Sequence, residues 1–404
     1  MGVPIMTAPL SIIVPNIRGY DFGIGVDRLS GAPMNQVVES VPSLPVSAGA
    51  VQSFDVSRIH TTRDLQESLG ISIEASYGCA TFGSGASGRF SYLQESQIQS
   101  SCLFMTVSST AHLADLSIDD SVMTKRAQEI AGRQDVFTAR YGDMFCRACS
   151  RGGLFVGVMR IEANSSAEAT NIEGELSGGY GFFSADSQSN FRNTLAQHKV
   201  SVYCRLYTEG GPSLEIHDPS DPAELLDHAN AWSRSLQSDP NTFSKPYEWT
   251  LSSISIAEGP SPANEAQIQH AQDVLQFCAR QRVALFDQLN LLTWIQDHPE
   301  RFDWASAVSR DIIQEATSST QNDVDLVAKC ASAAINDPAT AVMPNAYAAT
   351  QDPPSHYPSG SLPSPLPSPL QPSETPEVTA AAGTGTGSGV PDDTIEYETW
   401  VGPR

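Results

Sequence analysis

Basic residues are scarce in this chain of 404 residues: 23 Lys and Arg stand against 46 Asp and Glu, a formal net charge of −23. With no basic surface to neutralise phosphates, nucleic acid is excluded as a partner, and docking on anionic lipid by charge alone is disfavoured. Long apolar runs are missing too. No window approaches the 18 or so uninterrupted apolar residues that mark a membrane-crossing helix, so any membrane contact must come from a change of conformation. No basic residue precedes Arg18, and Pro4, Pro9 and Pro15 break the N-terminal stretch, which therefore does not read as a signal peptide. Met6 stands where a myristoylation signal needs Ser or Thr. The expectation is cytoplasmic synthesis, with leaderless release left open and membrane association only when oligomeric.

Catalytic signatures are equally lacking. No G-x-S-x-G, H-E-x-x-H, Walker or dinucleotide fingerprint occurs, and Arg89, Arg133, Arg140, Arg147 and Arg151 are scattered without forming a cradle for an anion. Seven cysteines, Cys79, Cys102, Cys146, Cys149, Cys204, Cys278 and Cys330, form an odd set without framework spacing and read as mostly free thiols. Cys146-x-x-Cys149 lies at the start of a strand rather than at a helix N-terminus, where a thiolate would be stabilised, and two buried thiols are expected there. His217 and His228, among Asp218, Asp221 and Asp227, lack regular ligand spacing and read as part of a solvated loop. The expectation is a protein that is not an enzyme, with no cofactor and no metal.

What is present centres on 136–162, VFTARYGDMFCRACSRGGLFVGVMRIE. Upstream, Met123, Ala127, Ile130 and Phe137 recur at roughly helical spacing after Ser117, with Asp120 three residues on, which predicts an amphipathic helix capped at Ser117. The period changes at Gly152 and Gly153. Leu154, Val156, Val158 and Arg160 then alternate with Phe155, Gly157, Met159 and Ile161, a pattern apolar on both faces that predicts a buried strand.

Two Gly/Ser/Ala-rich segments of similar character flank this core. In 62–98, Leu69, Ile71, Ile73, Ala75, Tyr77 and Cys79 fall on every second position, a strand alternation. In 163–204, Ile172, Leu176, Tyr180 and Phe182 share such a face, followed by a polar stretch from Ser184 to Gln197 whose large apolar residues are Phe191 and Leu195. Strands are predicted at Cys102 to Val107, Val200 to Tyr207 and Tyr247 to Ile256, and a short helical patch near Ala223 to Leu236. A stripe of Ile268, Ala271, Leu275, Cys278, Leu285, Leu289 and Leu292 then predicts a long helix, with further helices at Trp304 to Ala316 and Asn322 to Ile335. Beyond Pro344 lie 11 of the 27 prolines, and the composition predicts disorder with local polyproline II.

The junction Tyr141-Gly142-Asp143-Met144-Phe145 resembles the signature of the membrane attack complex/perforin (MACPF) family: an aromatic, Gly, Ser or Thr, His, and an aromatic. Tyr141, Gly142 and Phe145 match, while Asp143 and Met144 depart from the hydroxyl residue and the His. The resemblance implies an α+β fold, a bent and twisted, mostly antiparallel four-stranded sheet flanked by two helical clusters. It divides the chain into an N-terminal extension at 1–14, an MACPF-like domain at 15–258, a helical C-terminal region at 259–340 and a disordered acidic Pro/Gly-rich tail at 341–404. It further implies that the two flanking segments pack as helices in the soluble form and unfurl into hairpins that join those of other subunits in a β-barrel pore. Leu69, Ile71, Ile73, Ala75, Tyr77, Ile172, Leu176, Tyr180 and Phe182 are then the membrane-inserting candidates, and Gly152, Gly153, Gly178 and Gly179 the hinge glycines. The implied partners are target membrane lipid, other copies of the chain and, in the absence of an obvious targeting domain, a separate lipid-binding protein. Two alternatives stand beside this reading: a non-lytic MACPF-like protein that binds membranes or signals, and an unrelated α+β interaction protein whose tail recruits partners.

Overall fold

The structure, a computed structural model, describes residues 11–39, 41–43, 51–72, 79–82, 88–163, 166–177, 185–198, 200–304 and 308–370. Nine strands share one sheet: β1 (Ser11–Pro15), β2 (Ile24–Val26), β3 (Pro33–Gln36), β4 (Val51–Ile59), β5 (Leu103–His112), β6 (Leu116–Ser117), β7 (Met144–Glu162), β8 (Ser201–Glu209) and β9 (Lys245–Ser253). All pairings are antiparallel, and β7, 19 residues long, is the hub. Its C-terminal half lies between β5 and β8, with β4 outside β5, which makes the four-stranded unit β4-β5-β7-β8. Its N-terminal half pairs with β9, β2 and β6, and register shifts at Cys146/Ala148 and Ser150/Arg151 mark bulges, which bend a strand.

Between β4 and β5 lie α1 (Thr62–Ser68), α2 (Cys79–Phe82) and α3 (Gly88–Glu95). After β6, α4 (Lys125–Ile130) and α5 (Gln134–Tyr141) lead into β7; α6 (Ser166–Ser177) and α7 (Ala185–His198) connect β7 to β8. The described parts of each flanking segment are therefore mainly helical, on either side of the central strand, in the α+β arrangement that the resemblance implies. The strand alternation at Leu69 and Ile71 does not become a strand: Leu69 caps α1, whose start is fixed by a capping box between Thr61 and Asp64. Ile172 and Leu176 lie on α6. The helix capped at Ser117 is also corrected. Ser117 pairs with Ala148 in β6, and α4 begins instead at Thr124, whose hydroxyl accepts from the Ala127 amide.

The two faces of β7 separate two cores. Leu154, Val156 and Val158 join a cluster with the first helical segment and α10 (Glu265–Asp297), after α8 (Pro222–Ser238) and α9 (Pro240–Phe243). Phe155, Met159 and Ile161 face α8, which buries Leu225, Leu226, Ala229, Trp232 and Leu236. The helix α8 starts cleanly because Asp221 caps the Ala223 amide and Pro222 sits where no amide partner is needed. The long helix α10 follows the predicted stripe, and α11 (Arg310–Asn336), capped by Ser309, packs along it in one piece where two helices were expected.

Two boundaries move. The 1–14 stretch is not all extension, since β1 pairs with β9 and buries Ile12 and Val14. The disordered tail does not begin at 341. After α12 (Pro344–Ala349), the chain lies along the long helices as far as residue 370: the Tyr357 hydroxyl bonds Gln281, the Ser359 amide donates to Asp323, and β11 (Ser368–Pro369) pairs with β10 (Phe302–Asp303). The apolar residues set among the prolines, Tyr347, Tyr357 and Leu366, find partners in the α10/α11 core, which composition alone does not reveal. The rest of that tail lies outside the described residues.

Candidate functional site

At the elbow between α5 and β7, the three matched residues have distinct jobs. Tyr141 and Phe145 are buried in a cluster with Met123, Ala127, Phe137 and Ile254, and the Phe137 and Tyr141 ring centroids lie 5.2 Å apart. Gly142 has φ 73°, and a Cβ there would stand 2.2 Å from the Val26 carbonyl oxygen, so this turn requires glycine.

The two departures from the motif are explained by what replaces them. Met144 packs in the cluster of Ile12, Val26, Trp249 and Leu251. Asp143 is buried and accepts from Arg28 twice, from the backbone amide at 3.0 Å and from Nε at 2.7 Å. The outer edge of the same guanidinium forks onto Glu265 at the start of α10, at 2.9 and 2.8 Å. Burial pushes the Asp143 carboxyl up to about 6 in spite of Arg28, whose own guanidinium is held above its ordinary range by the two acids. Sequence reasoning missed Arg28 and Glu265 because they are 115 and 237 residues from their partners.

Gly152 and Gly153 allow close approach. Gly152, at φ 141°, would place a Cβ 1.8 Å from the Ala111 carbonyl oxygen, and a Cβ at Gly153 would meet the Glu209 carbonyl at 2.5 Å and the Trp232 ring at 2.8 Å. They thus seat β7 against β5, β8 and α8. Gly178 and Gly179 lie outside the described residues, as do Ile73, Ala75, Tyr77, Tyr180 and Phe182.

The first flanking segment is pinned from two sides. From the sheet, the buried Arg89 of α3 bridges Glu209 of β8 at 2.7 Å and Glu248 of β9 at 3.2 Å, and also donates to the carbonyls of Leu69 and Tyr247. Glu209 and Glu248 outweigh burial and hold its guanidinium above the ordinary range. From the other side, Arg282 of α10 lies over the rings of Phe82, Phe90 and Phe286 at 4.7–5.4 Å, and Asp287 accepts from the Thr62 amide at 2.7 Å. Leu69 and Ile71, both predicted as lipid-facing, are buried in this core.

The second segment is held differently. Ile172 of α6 and Leu195 of α7 are buried beside α8 residues, while His198 lies 3.6 Å from Glu168 and 3.5 Å from Glu175. Arg58 of β4 pairs with Glu173. Leu176 lies on α6, and its side chain is outside the described residues.

Six cysteines, Cys102, Cys146, Cys149, Cys204, Cys278 and Cys330, are buried free thiols. Burial pushes Cys149 up to about 12 and Cys146 higher still, so the Cys146-x-x-Cys149 pair sits in the sheet as protonated thiols rather than nucleophiles.

No family model matches the chain. No curated protein matches it either. Among solved structures it is similar to a stonustoxin structure, at 10% identity and a TM-score of 0.43, covering 85% of this chain and 43% of that one. It is also similar to GNIP1Aa from Chromobacterium piscinae, at 12% identity and a TM-score of 0.31, covering 66% of this chain and 56% of that one. A MAC/Perforin-domain protein from Bacteroides thetaiotaomicron matches at 10% identity and a TM-score of 0.31, covering 68% of this chain and 65% of that one. The chain thus spans less than two thirds of the length of each of these.

Proposed function

We propose that this chain is a MACPF-like pore-forming protein, in which the segments at 62–98 and 163–200 leave their helical packing, extend β5, β7, β4 and β8 as hairpins, and build a membrane β-barrel with other copies. The observation that carries this reading is the placement of two helical segments, each inserted between paired neighbours of one antiparallel unit, β4 to β5 and β7 to β8. Conversion prolongs strands that already exist, so register is inherited rather than searched for. Each segment is long enough for two strands of the roughly 9 to 11 residues that cross a bilayer, and a closed barrel leaves no backbone group unpaired in lipid. The first segment keeps latent strand alternation under its helical packing, which is the property a two-state segment needs.

A second reading has its own support: α7, ADSQSNFRNTLAQH, carries little apolar surface for a lipid-facing stripe. In that case the chain binds or signals at membranes without lysis. The two are separated by incubating the full chain with dye-filled vesicles of varied composition, natural lipid extracts included, and imaging the bound protein. Ring or arc oligomers with dye release support the pore and overturn the non-lytic reading; saturable membrane binding without release supports the non-lytic reading and overturns the pore.

A further inference from the structure

The loop between β8 and α8, read from sequence as solvated, brings together three side chains that the linear spacing does not relate. Glu224 Oε1 lies 2.8 Å from His217 Nδ1 and 3.4 Å from His228 Nε2. The donor atoms of all three residues lie within 4.8 Å of one another. Tetrahedral zinc with metal–ligand bonds near 2.0–2.2 Å spaces its ligands about 3.3 Å apart, so two of these separations already stand close to that value.

The carboxylate is oriented before any ion arrives. Its Oε1 accepts from the His217 amide and its Oε2 from the Asp218 amide, each at 2.9 Å. Glu224 and His228 are four residues apart on α8 and share a face, whereas His217 arrives from the loop with an exposed ring free to turn. The Glu215 carbonyl oxygen stands 3.0 Å from the same His228 nitrogen, and Asp218 and Asp221 add negative charge nearby.

We propose that His217, Glu224 and His228 form a binding site for a divalent transition ion of the zinc class, with at least one position left to water. Two imidazoles and one carboxylate are the donor set that such borderline ions prefer over calcium or magnesium, which take oxygen ligands. Ligation requires each imidazole to present a lone pair where it now faces Glu224, with the ring proton on the other nitrogen. The ion would fasten the connector that follows β8 onto the N-terminus of α8, the helix against which the second segment packs.

Cobalt(II) titration of the chelator-treated full chain is the direct test, because tetrahedral cobalt absorbs in the visible and thiolate ligation adds a separate charge-transfer band in the near ultraviolet. The expected result is one saturable equivalent without the thiolate band, displaced by zinc(II), and weakened at least tenfold in both His217→Ala and His228→Gln with unchanged circular dichroism. His217 is exposed, so its loss does not threaten folding. Absence of saturable binding, binding with the thiolate band, or binding unchanged in His217→Ala overturns the site.

Discussion

Arg28 joins the signature elbow to the C-terminal region: one edge of its guanidinium holds the buried Asp143 at 2.7 Å, and the other holds Glu265 of α10. Asp143 occupies the motif position at which the MACPF resemblance leads one to expect a hydroxyl residue. Arg28→Met leaves its carboxylate buried without a counter-charge, and the expected loss is about 3–5 kcal/mol. Asp143→Asn keeps an acceptor for the Arg28 amide and is expected to cost less than that. Denaturant unfolding of both variants and of the double variant tests the pair; strictly additive losses would show that the residues are not coupled.

The raised Asp143 gives this pair a pH signature. A carboxyl that titrates near 6 when folded and near 3.8 when unfolded binds more protons in the folded state between those values. Acidification through that window therefore stabilises the fold through this group, by at most about 3 kcal/mol. The melting temperature of the native chain, minus that of Asp143→Asn, is expected to rise as pH falls from 7 to 4 and to level off below. A difference that falls over the same range contradicts the assignment.

How much of this was legible in the sequence depended on the range of the interaction. The β7 strand, the α10 stripe and the Tyr141-Gly142 elbow rest on local periodicity and turn chemistry, and they stand as read. The alternation from Leu69 to Cys79 was real as a pattern, yet Leu69 and Ile71 are buried against α10, because tertiary packing and the Thr61/Asp64 capping box decide a segment whose local preference is weak. Arg28 with Asp143, Arg89 with Glu209, and His217 with Glu224 depend on chain reversals that no local spacing encodes. Proline-rich composition predicted disorder from 341, but it is silent about the grooves along α10 and α11 that hold Tyr357 and Ser359.

Arg89 ties the first segment to the sheet through two carboxylates and two carbonyls. Arg89→Met removes the partner of Glu209 and Glu248 and frees the Leu69 and Tyr247 carbonyls, so α3 is expected to loosen. Hydrogen exchange should quicken across 62–98 more than across α11, and vesicle leakage should become faster per bound molecule. Equal protection in both regions would remove Arg89 as a restraint.

Gly174 offers the opposite manipulation. It lies inside α6 with open space where a Cβ would stand. Gly174→Ala is expected to stabilise that helix by about 0.5–1 kcal/mol. If α6 must unwind, this variant leaks vesicles more slowly at unchanged membrane binding; if helix stability has no bearing on release, the rates coincide.

The central claim is that the first segment refolds, and a tether tests it. Ser72 and Arg280 are exposed and line one cleft of about 550 Å³ between the segment and α10. Cysteines at these two positions, in a Cys79→Ser background and joined by a cleavable bis-maleimide, fix the segment to α10, while the buried native thiols are spared. The tethered protein is expected to bind vesicles and retain their dye, and to release it once the linker is cut. Full release with the tether intact would contradict the account.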